Sequence, residues 1–271
     1  MTARPAILGA VLAIVVAACS SAGAARTTSA PPSAAPADLT IFAAASLKDV
    51  LAEAETTYES ANPGTDLTIS TDSSSALETQ VEQGAPADVF LSADTINPQK
   101  LVDGGFASGA AIPFAGNRLT VIVPTDNPAG IQSPADLAKP GLRIIAAGDE
   151  VPITRYTTEL VANLAAEAED PAGFAAAYLD NVASKEDSVS AIVSKIELGE
   201  GDAGIVYVTD AAASDEITPI EIPDPANVPA TYAGVVVAAS PRQDAAAAFL
   251  DWLIGPDGQA VLSSFGFLPP P

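Results

Sequence analysis

The chain has 271 residues, of which 34 are acidic and 11 are basic, and its formal net charge is −23. Hydrophobic residues make up 48% of it, which is enough to bury a large core in one domain or two lobes. The excess of acid argues against binding to nucleic acid, and the lack of histidine excludes a Ser-His-Asp triad and a histidine-ligated zinc site.

The first predicted element is an export signal. Arg4 precedes a short apolar run at residues 6–18, and the stretch "VAAC" ends on Cys19, the only cysteine. The run is too short to span a membrane and is typical of a secretory signal. The small residues before Cys19 resemble a bacterial lipobox, so we predict a lipoprotein signal peptide at 1–18 and lipidation of Cys19. An ordinary signal peptide, with a cysteine that happens to lie near its cleavage site, is the alternative.

A tether is predicted to follow the signal. Residues 20–37 consist of Ala, Ser, Thr, Pro and Gly with a single arginine, and such a composition does not bury enough apolar surface to fold. We therefore expect a disordered Ala/Ser/Pro tether at 19–37 and a folded part that starts near Asp38.

The folded part alternates between strand and helix patterns. Strands are predicted at 38–44, 66–70, 87–93, 118–124, 142–147, 203–208, 216–222 and 231–239. Helices are predicted at 47–60, 74–83, 97–102, 134–138, 153–167, 172–179, 189–198, 241–254 and 256–265. The alternation is typical of α/β sheets with helices on both faces, and its restart after residue 124 favours two lobes. We expect the first part of lobe 1 at 38–120, lobe 2 at 121–232, and a return to lobe 1 at 233–271.

Small and hydroxyl-bearing residues stand where predicted strands lead into helices. They occur in "FAAASLKDV" (Ser46), "TDSSSAL" (Ser74), "GDEVPITRY" (Pro152), "EDSVSAI" (Ser188 and Val189) and "GIVYVTDA" (Tyr207). Ligands of open α/β sheets bind at the carboxyl ends of strands, and helix N-termini offer free amides to an anion. The serines are equally suited to capping helices, and a tyrosine in a strand is usually there for packing.

Several of these segments carry a family resemblance. "FAAASL", "SSSALETQVEQGAPADVFLSAD", "GDEVP" and "GEGDAGIVYVTDA" resemble the periplasmic molybdate-binding proteins of ABC transporters, and the likeness extends over most of residues 38–268. The resemblance implies the two-lobed periplasmic-binding-protein fold of type II, with a hinged cleft between two α/β lobes.

The resemblance also implies a set of ligand-binding residues. The oxyanion is expected to bind to the hydroxyls of Ser46, Ser74 and Tyr207 and to the backbone N–H groups of Ile153 and Val189, with no direct bond from the protein to the metal. One departure concerns the loop at 148–156, which is shorter than in many family members and carries Ile153-Thr154 where they have two small residues. The Thr154 hydroxyl is therefore an alternative donor.

The implied function is that of an extracytoplasmic solute-binding lipoprotein that captures molybdate, and tungstate with it, for an ABC importer. We expect neither enzymatic activity nor a cofactor. The protein is expected to be a monomer that is anchored to the outer face of the cell membrane through Cys19 and interacts there with the permease subunits. Hydroxyls and amides only donate to an oxyanion, which suits a dianion without a proton and disfavours phosphate, which carries one. Three alternatives remain: the same fold with sulfate or another small anion, an exported serine hydrolase that uses Ser46 with Lys48, and a structural lipoprotein.

Overall fold

The computed structural model describes residues 1–2 and 37–271. The expected signal peptide (1–18) and tether (19–37) lie outside the described residues, except for residues 1, 2 and 37. Cys19 lies outside them as well. Among the residues that are described, no helix is long and apolar enough to cross a membrane.

Two five-stranded sheets form the folded part. The strands of the first sheet are β1 (Leu39–Ala44), β2 (Leu67–Asp72), β3 (Val89–Ser92), β4 (Ile112–Asn117) and β10 (Ala230–Val236), in the order β2-β1-β3-β10-β4. The strands of the second sheet are β5 (Leu119–Pro124), β6 (Ile144–Ala147), β7 (Val182–Glu186), β8 (Ala203–Tyr207) and β9 (Ile217–Ile220), in the order β7-β6-β8-β5-β9.

The two sheets share one plan of strand directions. In the first, β1 is parallel to β2 and β3, and β10 is antiparallel to β3 and β4. In the second, β6 is parallel to β7 and β8, and β5 is antiparallel to β8 and β9. The chain changes sheet between β4 and β5, through Arg118, and returns between β9 and β10. This is the two-lobed type II fold that the sequence predicts. The lobe borders expected after residues 120 and 232 fall inside β5 and β10, each of which stays in one sheet.

Helices connect and cover the strands. They are α1 (Lys48–Ala61), α2 (Ser74–Glu82), α3 (Ile96–Asp103), α4 (Pro152–Ala166), α5 (Pro171–Asp180), α6 (Val189–Glu197), α7 (Val208–Ala212), α8 (Gln243–Ile254) and α9 (Pro256–Ser264). Short 3₁₀ turns lie at Ala45–Leu47 and Pro134–Ala138. On α6 the buried residues are Val189, Ile192 and Ile196, whose spacing places one apolar face on the second sheet.

Three elements were not predicted. The strands β4 and β7 are both at sheet edges, where a strand has one neighbour and needs less apolar sequence. Pro113 and Gly116 weaken the strand pattern of β4, and proline is tolerated at edges because one side of the strand forms no ladder bonds. The third is α7, which begins at Val208, a residue that the sequence pattern assigned to the preceding strand.

Candidate functional site

The carboxyl ends of strands from both sheets meet at a small cavity. Its volume is about 20 Å³, so little more than one water-sized sphere can move in it. The residues that line it are Ala44, Ala45, Ser46, Ser73, Ser74, Ala93, Val151, Pro152, Ile153, Ser188, Val189 and Tyr207. A compact ligand of few atoms suits such a space, whereas a sugar or a peptide does not.

All five residues of the expected ligand set line this cavity. Ser46 and Ser74 come from the lobe of the first sheet, where they follow β1 and β2. Ile153, Val189 and Tyr207 come from the lobe of the second sheet, at the starts of α4 and α6 and at the end of β8. The fold therefore brings together residues that are far apart in the sequence.

The two expected serines do not cap helices. Ser46 lies within the 3₁₀ turn that precedes α1, and Ser74 is the first residue of α2, after the N-cap Ser73. Neither N-terminus has a side-chain capping bond, so neither hydroxyl is used as a helix cap. Ser188 does cap its helix, because its Oγ accepts from the N–H of Ala191 at 3.3 Å.

Ser74 is arranged to donate. Its Oγ accepts a hydrogen bond from the backbone N–H of Ala93 at 3.1 Å. Because an amide N–H only donates, the serine must be the acceptor of that bond, and its own proton is left for another partner. Ser74 is almost fully buried and lines the cavity, so a ligand bound there could accept this proton.

The two expected amides lie in first helical turns. Ile153 is the second residue of α4, after Pro152, and Val189 is the first residue of α6. The N–H groups of a first turn have no acceptor within their helix, and the helix dipole makes this end positive. The alternative donor is placed differently: Thr154 does not line the cavity, and its Oγ1 donates to the carbonyl of Gly148 at 2.6 Å.

Tyr207 presents a buried hydroxyl to the cavity. The residue is 1% exposed, and within residues 37–271 its Oη has no hydrogen-bond partner. Burial raises the pKa of Tyr207 well above its ordinary value, so the hydroxyl keeps its proton at neutral pH and is a donor. A buried polar group without a partner costs about 1–3 kcal/mol, and native structures seldom retain one without a reason. The observation points to a ligand that accepts from this hydroxyl.

The site has no formal charge of its own. None of the described residues that line the cavity has a charged side chain. The adjoining part of the cleft is lined by five acidic residues from both lobes and one lysine, Lys100, which pairs with Glu78: the acidic residues are Asp72, Glu78, Asp149, Glu150 and Asp187. An anion in the cavity would therefore be held by hydroxyls and helix amides at short range, against a repulsive surrounding field.

An ion pair joins the lobes beside the cavity. Arg155 on α4 contacts Asp94, which follows β3, with Nη2 and Oδ2 2.5 Å apart. Asp94 is buried and also accepts from Ser92 Oγ at 2.9 Å and from the backbone N–H of Asn97 at 2.9 Å. Sequence reasoning missed this pair because its members are 61 positions apart and neither belongs to a hydroxyl-rich junction.

A second carboxyl, partly buried, lies behind the site. Asp210, in the first turn of α7, accepts from the backbone N–H of Tyr207 at 3.1 Å. Its side chain keeps some contact with solvent, yet burial in the surrounding protein raises its pKa to about 7. The backbone hydrogen bond opposes this shift, and the charge of Asp49 adds to it.

The fold and the site define a class of protein: two α/β lobes with a small cavity at the carboxyl ends of their strands. The family model described as bacterial extracellular solute-binding protein matches residues 39–268. The chain belongs to this family, which consists of binding proteins and is not a class of enzymes.

Curated relatives cover most of the chain. The molybdate-binding protein ModA of Mycobacterium tuberculosis is 33% identical over 233 residues, which are 86% of this chain and 85% of that protein. ModA of Haemophilus influenzae is 31% identical over 86% of this chain and 91% of its own length.

Solved structures share the fold. The periplasmic molybdate-binding protein of Azotobacter vinelandii superposes with a TM-score of 0.73 at 24% identity, over 86% of this chain and 100% of that one. The sulfate-binding protein SubI of Mycobacterium tuberculosis superposes with a TM-score of 0.75 at 21% identity, over 86% of this chain and 87% of that one.

Proposed function

We propose that the protein is an extracytoplasmic receptor that captures molybdate, and tungstate with it, and delivers the oxyanion to an ABC importer. The observation that carries the proposal is the buried Tyr207 hydroxyl, which has no partner within residues 37–271 and lies in a cavity of about 20 Å³. The relatives that share 31–33% of their residues with this chain are molybdate-binding proteins, which supports the same ligand class here.

The ligand set offers a hydrogen-bond donor at every position. Ser46, Ser74 and Tyr207 supply hydroxyls, and Ile153 and Val189 supply amides from two helix N-termini. A tetrahedral dianion without a proton accepts at every oxygen, so each of these donors finds a partner. Hydrogen phosphate presents one O–H group, for which the two amides offer no acceptor and only a hydroxyl oxygen of the set could accept, so the set suits it less well.

The domain plan and the anchor belong to the same proposal. We assign lobe 1 to the elements around the first sheet and lobe 2 to those around the second, with crossings at Arg118 and between β9 and β10 and the oxyanion between the lobes. Lipidation of Cys19 after removal of 1–18 would hold the protein, as a monomer, on the outer face of the membrane, and the tether at 19–37 would give it reach to the permease subunits.

A second candidate ligand is sulfate. It also lacks a proton at neutral pH, and a sulfate-binding protein shares the fold. Cavity size and donor geometry must then separate the two oxyanions, because the donor chemistry suits both.

Thermal unfolding with four anions tests the proposal. Protein freed of copurified ligand is melted with molybdate, tungstate, sulfate or phosphate. A ligand at 100 times its Kd stabilises the folded state by about 2.7 kcal/mol, which for a protein of this size is a rise in Tm of roughly 5–11 °C. We expect this rise with molybdate and tungstate and little with sulfate or phosphate. An equal rise with sulfate would favour the second candidate, and no rise with any of the four would refute the proposal.

Two neighbouring serines provide a matched pair of variants. Ser74→Ala removes a donor to the oxyanion, so the molybdate Kd should rise at least tenfold. Ser75→Ala is the control, because Ser75 lies on the same helical turn but does not line the cavity. Its Oγ contacts, at 3.0 Å, the Oγ of Ser73, a lining residue that is not in the expected ligand set. Equal effects of the two changes would argue that Ser74 acts through helix stability and not through the ligand.

A further inference from the structure

A chain of side-chain hydrogen bonds runs behind Ser46. Ser46 Oγ and Tyr232 Oη are 3.0 Å apart, and Asn117 Nδ2 donates to the same Tyr232 oxygen at 3.4 Å. Asn117 ends β4 and Tyr232 lies in β10, and both are buried. Neither residue lines the cavity, so any influence on the ligand must pass through Ser46.

The orientation of the Asn117 amide is determined by its neighbours. Its Oδ1 accepts from the backbone N–H of Arg118 at 2.9 Å, which places Nδ2 on the opposite side. Nδ2 donates one proton to Thr209 Oγ1 at 2.8 Å and has the other for Tyr232. An amide nitrogen has no acceptor capacity, so the direction of the bond to Tyr232 is settled.

The direction of the next bond follows from proton counting. The geometry of the Ser46–Tyr232 contact allows either oxygen to donate. If Tyr232 accepted from both Asn117 and Ser46, its own buried proton would have no acceptor among the described residues, which is costly, so we infer that Tyr232 donates to Ser46 Oγ. Burial raises the pKa of Tyr232 well above its ordinary value, so this proton is retained at all physiological pH values. The ring is held in place by Phe114, Tyr207 and Phe267, whose ring centroids lie 6.1, 5.5 and 5.5 Å from its own.

We propose that Asn117 and Tyr232 are positioning residues that fix the Ser46 hydroxyl as a donor toward the cavity, and thereby favour oxyanion oxygens that carry no proton. This inference rests on the proposed function. Ser46 accepts from Tyr232, so its own proton is directed at the ligand, as the Ala93 amide directs that of Ser74. Hydrogen bonds that are linked in series and all point the same way polarise one another, which makes the Ser46 hydroxyl, at the end of the series, a stronger donor.

A double-mutant cycle on molybdate binding tests the inference. The dissociation constants of the parent, Tyr232→Phe, Ser46→Ala and the double variant are measured by calorimetry on ligand-freed protein. We expect Tyr232→Phe to raise Kd about three- to tenfold and Ser46→Ala to raise it at least tenfold. The double variant should bind no more weakly than Ser46→Ala alone, because Tyr232 has no route to the ligand once the serine hydroxyl is gone.

Selectivity supplies a readout that a packing role would not change. In Tyr232→Phe the Ser46 hydroxyl is free to turn and accept, so the ratio of phosphate Kd to molybdate Kd, measured by competition, should fall at least threefold. Tyr58→Phe is the matched control, since Tyr58 is a buried tyrosine that packs on Phe249 and Trp252, away from the cavity, and it should change neither Kd nor ratio.

The outcomes separate the inference from the function on which it rests. The positioning role is overturned if the losses of molybdate affinity from the two single substitutions multiply in the double variant. It is also overturned if Tyr232→Phe leaves the ratio of phosphate Kd to molybdate Kd unchanged. Neither result contradicts molybdate binding by the parent protein. A parent protein that binds neither molybdate nor tungstate overturns the proposed function itself. Melting of each unliganded variant checks folding, and if Tyr232→Phe does not fold, Asn117→Ala replaces it in the same cycle with the same expectation.

Discussion

Replacement of Tyr207 by phenylalanine should have opposite effects on ligand binding and on the stability of the unliganded protein. The change removes only a hydroxyl from a residue that is 1% exposed, so the packing of the ring is retained. If this hydroxyl donates to a bound dianion, its loss removes a charge-assisted hydrogen bond of about 1.5–3 kcal/mol. The molybdate Kd should therefore rise by roughly 10- to 150-fold.

The unliganded protein should gain stability from the same change. In residues 37–271 the Tyr207 Oη has no hydrogen-bond partner, and phenylalanine buries no such group. The gain is bounded by the cost of a buried unpaired polar group, about 1–3 kcal/mol. For a protein of this size each kcal/mol corresponds to about 2–4 °C in Tm.

Two measurements check this pair of effects. Calorimetry gives the molybdate Kd, and denaturant unfolding of ligand-freed protein gives the free energy of unfolding. Tyr58→Phe is the control for removing the hydroxyl of a core tyrosine that lies outside the cavity, and it should leave the Kd unchanged. An unchanged Kd together with lower stability in Tyr207→Phe would show that the hydroxyl has a structural partner and that the site lies elsewhere.

Three further predictions concern the lobes, the pH dependence and the anchor. Arg155→Gln should raise the molybdate Kd by up to about fivefold, because the partly exposed ion pair to Asp94 joins the lobes around the ligand. Arg143→Gln is the control: it breaks an ion pair within the lobe of the second sheet and should leave the molybdate Kd unchanged. The Asp210 carboxyl has a pKa of about 7 when folded and about 3.9 in an unfolded chain, so the stability it contributes is full below pH ~4 and is lost as the pH rises to about 7. Asp210→Asn should flatten that part of the curve of unfolding free energy against pH, and a curve that keeps its slope would contradict the assignment. Cys19→Ser should move the protein from the membrane to the soluble fraction on cell fractionation, and unchanged membrane association would argue against lipidation.

The sequence alone determined the α/β alternation and the junctions that supply the cavity. Strands β1, β3, β6 and β8 are short apolar runs that end in small or hydroxyl residues, and each leads toward a helix start. Such signals are local, since strand period, helix caps and turn residues act within a few positions of one another. All five expected ligand residues were accordingly named from junction motifs together with a family resemblance, and the structure places them around one cavity.

Only the tertiary structure decided what lies behind those residues. The edge strands β4 and β7 have weak patterns of their own and exist because a neighbouring strand accepts and donates their backbone bonds. That Ser46 does not cap a helix could not be settled from its own segment, because the hydrogen-bond partner of its hydroxyl, Tyr232, is 186 positions away. The sequence specifies which hydroxyls and amides are present, but the direction in which a hydroxyl donates depends on partners that only folding brings within hydrogen-bond distance.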